Sequence, residues 1–194
     1  MTEPPMQPLS VGALLLNPSL DVHRSTSHAV LRLLATRKDW PNPRVVNLIE
    51  IPTRNSKVLA QTQILYEDLY AARPHIESML ASSTQLIFAW GTSFMPGEAG
   101  VKQRQQIHWA IECAARYGHS EAWMMGGSPR HPSRWRQYVG PQRAIHEGGT
   151  TADRLERALI LRPIETALPA GSSSLSEVGE NISSSSVHME VHSR

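Results

Sequence analysis

The sequence has little cysteine, and Cys113 is the only one among its 194 residues. A single thiol cannot form an intramolecular disulfide or build a zinc ribbon. Long hydrophobic runs are also missing, because the longest, residues 11–16, is far shorter than the ~20 residues that cross a bilayer. The amino terminus carries Glu3 and three prolines where a signal peptide carries basic residues, so we expect a cytoplasmic protein without membrane association.

Lysine is scarce as well, because only three of the 19 positive charges are lysines and the other 16 are arginines. The net charge is only +2, so bulk electrostatics does not by itself indicate a nucleic-acid binder. A GC-rich genome explains the arginine content without any function, whereas bidentate recognition of phosphates and carboxylates is the functional explanation. Residues 122–146 favour the second explanation locally, because they contain four arginines, two histidines and no acidic residue.

The chain divides into one predicted domain and two tails. Residues 1–9 are rich in proline and polar residues, and we expect them to be disordered. From residue 163 onward there is no aromatic residue and nine positions are serine, so we predict a serine-rich disordered tail over 163–194. Residues 10–162 remain as a single domain, which is large enough to bury a core without a disulfide or a metal.

Short apolar runs alternate with longer helical patterns across this domain. Strands are predicted at residues 11–17, 44–51, 86–90 and 121–125. Helices are predicted at 25–37, from 56 to 80 with an interruption near Pro74, at 101–117 and at 151–161. This order indicates an α/β fold of three layers, with helices on both faces of a central, mostly parallel four-stranded sheet. Ligands bind such sheets outside the carboxyl ends of the strands, so the polar block after each strand is a candidate site.

The first polar block, Asn17-Pro18-Ser19, follows the first predicted strand. Pro18 forces an abrupt extended turn, so the Asn17 amide either caps its own loop or faces a ligand or a water molecule. Asp21 is the only acid near this block, and it either orients a water molecule or caps the following helix. Asn17 and Asp21 are therefore candidate catalytic residues, and Ser19 is a candidate phosphate ligand.

Two further blocks lie at the second and third predicted strands. Asn47 interrupts an apolar strand, so its amide either braces a neighbouring loop or presents a donor and an acceptor to the edge of a base. Trp90 and Gly91 end the third strand at the same predicted edge of the sheet. These three residues are the candidate base-binding group.

The block after the fourth predicted strand, residues 126–133, carries the most chemistry. Its two glycines allow backbone amides to approach a ligand, and His131 is held in a loop between Arg130 and Pro132. An imidazole there protonates, hydrogen-bonds or electrostatically stabilises a leaving group, so His131 is the third candidate catalytic residue. The candidate phosphate-binding residues nearby are Arg130, Ser133, Arg134 and Arg136. The alternative is a solvated basic loop without a ligand.

Four of these blocks together resemble an uncharacterised family of bacterial and phage proteins, a domain of unknown function. The matching stretches are Asn17-Pro18-Ser19 and residues 45–48, 89–91 and 127–132, in the same order as in that family. The likeness covers roughly residues 10–140, and it implies no established activity.

The same order of elements is similar, more distantly, to the uracil-DNA glycosylase superfamily. That resemblance implies a parallel four-stranded sheet, no metal or other cofactor, and a role for each of three blocks. Asn17 positions the attacking water, Asn47 reads a flipped base, and the loop of His131, Pro132 and Ser133 grips the base carbonyl and a nearby phosphate. Such enzymes extrude a base from DNA and cleave its N-glycosidic bond, and the histidine stabilises the departing base.

We therefore expect a protein that binds a nucleobase or a nucleotide, with DNA or a nucleotide as its partner. The first predicted function is a DNA-glycosylase-like hydrolase acting on a base in DNA. The second is a non-catalytic nucleic-acid-binding or accessory protein that keeps the cleft without the reaction. Salt-sensitive binding without product formation distinguishes the second function from the first. A third class, a small-molecule hydrolase acting on nucleosides or nucleotides, is indifferent to DNA.

Overall fold

The computed structural model describes residues 8–53, 56–143 and 148–168. The strands are Val11–Leu15 (β1), Arg44–Asn47 (β2), Gln85–Ala89 (β3), Glu121–Met125 (β4) and Leu159–Pro163 (β5). The helices are Thr26–Arg37 (α1), Ser56–Gln61 (α2), Tyr66–Ser82 (α3), Gly97–Arg116 (α4), Trp135–Tyr138 (α5) and Thr151–Ala158 (α6). Within these ranges no helix combines the length and the apolar character needed to cross a membrane.

Helices flank both faces of the sheet, and alternate residues of β1 enter two separate cores. Val11, Ala13 and Leu15 pack with residues of α1 and α6, whereas Leu14 packs with residues of α3 and α4. A strand that is covered on both faces must be apolar throughout, and all five residues of β1 are buried. The predicted α/β class is confirmed.

The sheet is mixed and has five strands, in the order β2-β1-β3-β4-β5, rather than the four predicted. β1 pairs in parallel with β2 and β3, and β3 pairs in parallel with β4, but β5 lies antiparallel to β4. The sequence predicts one helix over 151–161, whereas α6 ends at Ala158 and the chain enters β5. Backbone pairing with β4 stabilises this strand, which has no apolar alternation of its own.

The core also continues past the predicted domain boundary at residue 162. Pro163 closes β5, and a 3₁₀ turn, Ile164–Ala167, follows it. Ile164 and Ala167 are buried in the core between the sheet and the helices α3 and α4. Residues 163–168 are therefore part of the fold, whereas residues 1–7 and 169–194 of the two predicted tails lie outside the described residues.

Two local predictions have opposite outcomes. The predicted interruption near Pro74 is wrong, because α3 continues through this proline. The proline removes one helical hydrogen bond, and the burial of Ile76 and Met79 beyond it offsets that loss. The predicted start of the last helix is confirmed, because Thr150 and Asp153 form a capping box at the amino end of α6.

The strand order places a ligand crevice between β1 and β3. The chain passes from β1 to β2 on one side and then returns to β3 on the other side of β1. At such a reversal the segments that leave the two strands diverge, which opens a crevice outside their carboxyl ends. The segments after β1 and β3 begin at Leu16 and Trp90, so both border this crevice.

Candidate functional site

A pocket with a volume of about 630 Å³ lies at this crevice. A cavity of that size holds a ligand such as a nucleotide, since small-molecule sites measure about 300–1,000 Å³. Its walls come from the segments after β1, β3 and β4, the end of β2 and the first turn of α1. The predicted site residues that line it are Asn17, Ser19, Asn47, Trp90, Gly91, Arg130, His131, Ser133 and Arg134.

The Asn17 amide is partly used by the protein itself. Its Nδ2 donates to Thr53 Oγ1 at 2.9 Å and to the Pro18 carbonyl oxygen at 3.2 Å. Thr53 lies in the segment after β2, so this amide ties the exits of β1 and β2 together. Both amide hydrogens are then occupied, and Oδ1 is the polar atom left for a ligand or a water molecule.

Asn47 ends β2 directly beside Leu15 of β1. Its side chain is half-buried and borders the pocket, and it makes no hydrogen bond with any described residue. An amide in that position presents a donor and an acceptor to whatever fills the pocket. The ligand-facing alternative is therefore favoured for Asn47, while Asn17 supplies the bond between the loops.

Trp90 and Gly91 shape the pocket wall. The Trp90 side chain is 1% exposed and packs against Phe88 with ring centroids 4.6 Å apart, so its ring has no free face for stacking on a base. Gly91 has a φ of 106°, which favours glycine, and its N–H donates to the Pro129 carbonyl oxygen. This hydrogen bond fastens the segment after β3 to the loop that carries His131.

His131 is held as a neutral imidazole. It caps a 3₁₀ turn, Pro132–Arg134, where its Nδ1 accepts from the Ser133 N–H and lies 2.9 Å from Ser133 Oγ. Burial, and to a smaller extent the Arg134 charge, lowers the pKa of His131 from 6.5 to about 4. Because Nδ1 accepts, the ring proton lies on Nε2, so the ring offers a donor to a ligand without a positive charge at neutral pH.

Four arginines surround the pocket, and no carboxylate of the described residues lines it. Arg130 and Arg134 come from the loop after β4, and Arg24 and Arg143 are additional to the predicted site residues. No group of three metal-binding side chains occurs in the described part of the chain. A cavity whose described charged residues are all cationic attracts anionic ligands.

The structure does not bring two of the predicted residues to the pocket. Asp21 is exposed, and its Oδ1 accepts from the N–H groups of His23 and Arg24, so this carboxylate caps its own loop. Arg136 is exposed on α5 and does not line the cavity. Consecutive residues of a helix point about 100° apart, and only the last two residues of α5 border the pocket.

The first turn of α1 forms a pocket wall that the sequence patterns do not reveal. Thr26, Ser27 and His28 border the cavity, and no side chain caps this end of the helix. His28 Nδ1 is buried without a partner among the described residues, and burial, with a smaller effect of Arg32, lowers its pKa. Only the predicted topology could have indicated this wall, because the helix that follows a parallel strand begins at the edge of the sheet where that strand ends.

The fold and the pocket define the class: an α/β protein with a cationic binding pocket at the carboxyl edge of its parallel strands. The family described as "Protein of unknown function (DUF1643)" matches residues 5–133, which is more than half of the chain. The chain therefore belongs to this family, and the predicted resemblance to a family of unknown function is confirmed. No curated protein and no solved structure matches the chain significantly, so the likeness to uracil-DNA glycosylases stays a prediction.

Proposed function

We propose that this protein binds a nucleobase-bearing ligand in the pocket and hydrolyses the N-glycosidic bond of a base in DNA. One observation carries the proposal: Asn17, Asn47 and His131 border the same cavity, although they come from distant parts of the chain. Two amides and a neutral imidazole are groups that hydrogen-bond the edge of a base. The arginines around the cavity support an anionic, nucleic-acid ligand.

Asn47 has the base-reading role in this proposal. Its amide has no partner among the described residues, so its donor and its acceptor are both available to a ligand. The edge of a uracil-like base offers the complementary acceptor and donor. The base reaches the pocket by leaving the DNA stack, because atoms of a stacked base are not accessible to an enclosed site.

Asn17 and His131 act at the reacting bond. A water molecule held by Asn17 Oδ1 adds its oxygen to the sugar carbon as the carbon–nitrogen bond breaks. The bonding electron pair leaves with the base, and the N–H at His131 Nε2 stabilises the negative charge that develops there. The water's proton passes to solvent and the base takes a proton from solvent, so the histidine stays neutral throughout.

A second candidate function, binding without hydrolysis, is favoured by one specific observation. No carboxylate of the described residues lines the pocket, and the nearest predicted one, Asp21, caps its own loop. The attacking water then has no carboxylate among the described residues to act as its general base. On this alternative the chain is a nucleic-acid-binding or accessory protein that keeps the cleft without the reaction.

Incubation of the purified protein with oligonucleotides that contain uracil, mismatched or modified bases tests both functions. If the wild type releases a free base, we expect His131→Gln and Asn17→Ala to lower kcat by about 10²–10³-fold, as the loss of other preorganised donors does. Asp21→Asn is the matched control, because its carboxylate is bonded outside the pocket.

The outcomes of this assay are distinct. Wild-type rates in both His131→Gln and Asn17→Ala contradict the assigned roles. Binding that weakens steeply with salt and yields no product supports the non-catalytic alternative. Neither binding nor product with any of these oligonucleotides contradicts both functions.

A further inference from the structure

One arginine of the pocket is positioned before any ligand binds. The Arg130 side chain is half-buried, its guanidinium carbon lies 4.3 Å from the centroid of the Tyr138 ring, and its Nε is buried without a hydrogen-bond partner among the described residues. Its neighbours differ, because Arg24 lies 3.7 Å from the Asp21 carboxylate and Arg134 donates to Gln137. Within the described structure, Arg130 is a partly desolvated cation without an anionic partner.

Two features hold Arg130 in this position. The indole N–H of Trp135, a fully buried residue, donates to the Arg130 carbonyl oxygen and fixes the backbone. The Tyr138 ring occupies space that a glycine leaves open, because a Cβ added at Gly126 would lie 2.0 Å from Tyr138 Oη. Gly126 also has a φ of 60°, which disfavours a side chain there. The Tyr138 ring therefore lies in a fixed position against the guanidinium, and we refer to this ring as the aromatic shelf.

We propose that Arg130 binds a phosphate group of the ligand, and that Tyr138 is a positioning residue that holds the guanidinium at the pocket wall. Removing a cation from water without a counter-charge costs free energy, so we infer that the ligand supplies the anion. The planar guanidinium binds two phosphate oxygens at once. The Tyr138 ring stabilises the positive charge of the guanidinium through the cation–π contact. The choice of phosphate among oxyanions rests on the proposed function.

Titration with inorganic phosphate, followed by calorimetry or by backbone amide chemical shifts, tests the site without any base. We expect Arg130→Gln to weaken phosphate binding by at least about tenfold, because charge-assisted hydrogen bonds are lost. Arg130→Lys keeps the positive charge but lacks the planar guanidinium. Its phosphate affinity is expected to lie between those of the wild type and Arg130→Gln. Arg116→Gln is the matched control, because it removes the same charge from the end of α4, at the opposite edge of the sheet.

Tyr138 variants separate the positioning role from a merely structural one. Tyr138→Phe keeps the ring and is expected to bind phosphate like the wild type. Tyr138→Leu removes the ring and is expected to weaken phosphate binding about threefold or more, because the cation–π contact is lost. Thermal unfolding confirms that each variant is folded. Wild-type phosphate affinity in a folded Tyr138→Leu overturns the positioning role, and Arg130→Gln decides the phosphate site whether or not Tyr138→Leu folds.

Either of two results overturns the proposal: wild-type phosphate affinity in Arg130→Gln, or no phosphate binding by the wild type. UMP, uridine and a short single-stranded oligonucleotide then identify the source of the phosphate. Tighter binding of UMP than of uridine, lost in Arg130→Gln, indicates the terminal phosphate of a nucleotide. Tighter binding of the oligonucleotide than of UMP, lost in the same variant, indicates a phosphodiester.

The two proposals fail in distinguishable ways. Phosphate binding at Arg130 without base release from any oligonucleotide supports the phosphate site and contradicts the hydrolytic function. Base release that Arg130→Gln leaves unchanged supports the hydrolytic function and overturns this site.

Discussion

Acidification is expected to destabilise the fold through His131. Its pKa is lowered from 6.5 to about 4 in the folded protein, mainly because partial burial desolvates the ring and to a smaller extent because the Arg134 charge lies near it. Between these two values the unfolded chain binds a proton at this residue that the folded chain does not bind. The stability that depends on the neutral ring is therefore complete above pH 6.5 and is lost as the pH falls towards 4.

The size of the effect follows from the two pKa values. The difference between 6.5 and about 4 corresponds to about 3 kcal/mol, of which about 2 kcal/mol is lost between pH 7 and pH 4.5. Urea unfolding followed by circular dichroism at these two pH values measures the loss. His131→Gln lacks the titrating ring and is the reference, because the other titratable groups are the same in both proteins.

We expect the free energy of unfolding to fall by about 2 kcal/mol more in the wild type than in His131→Gln. An equal pH dependence of the two proteins refutes the reasoning from burial. An NMR titration provides a second check, because a His131 ring with a pKa of about 4 does not titrate above about pH 5. A midpoint near the usual histidine value contradicts the neutral-donor role as well.

Three further predictions address the aromatic shelf, the first loop and the end of the fold; urea unfolding measures the stability change in all three, and the oligonucleotide binding assay measures ligand affinity. Gly126→Ala is expected to lower the free energy of unfolding by more than about 1 kcal/mol, because the added Cβ meets Tyr138 Oη. Unchanged stability contradicts a fixed position of the Tyr138 ring. Asp21→Asn is expected to lose at most about 1 kcal/mol and to keep ligand affinity, because the carboxylate caps its own loop; lost affinity places Asp21 in the site. Ile164→Ala is expected to lower the free energy of unfolding by about 2–5 kcal/mol, because the side chain is buried. An unchanged free energy of unfolding contradicts the assignment of residue 164 to the folded domain.

The sequence predicts the strands at the centre of the fold because their patterns are local. β1 is apolar throughout since both of its faces are covered, and Asn17 stands out as the polar residue just beyond it. Asn47 is the polar residue that ends β2, and His131 lies in the polar loop that follows β4. The carboxyl edge of a parallel sheet then brings the three together, and all three border the pocket.

The features that the sequence does not predict depend on contacts between distant segments. β5 has one buried and one half-buried residue followed by three exposed ones, and its antiparallel pairing with β4 alone makes it a strand. The first turn of α1 reaches the pocket only because of where the helix starts in the fold. The helix-capping alternative for Asp21 is wrong, because the backbone after Pro18 brings its carboxylate to the N–H groups of His23 and Arg24 and not to the start of α1. No residue pattern specifies that backbone path.

In the proposed function, a base contacts Asn47 and His131 in the pocket, and the Asn17 side chain lies beside the bond that breaks. A crystal structure of the Asn17→Ala variant tests this placement of the base. The variant is crystallised with an oligonucleotide that carries the base selected by the binding or release assay. We expect this base to lie in the cavity between the ends of β1 and β3, within hydrogen-bond distance of Asn47 and His131 Nε2. A base that stays stacked in the DNA, or that binds at another surface of the protein, contradicts it.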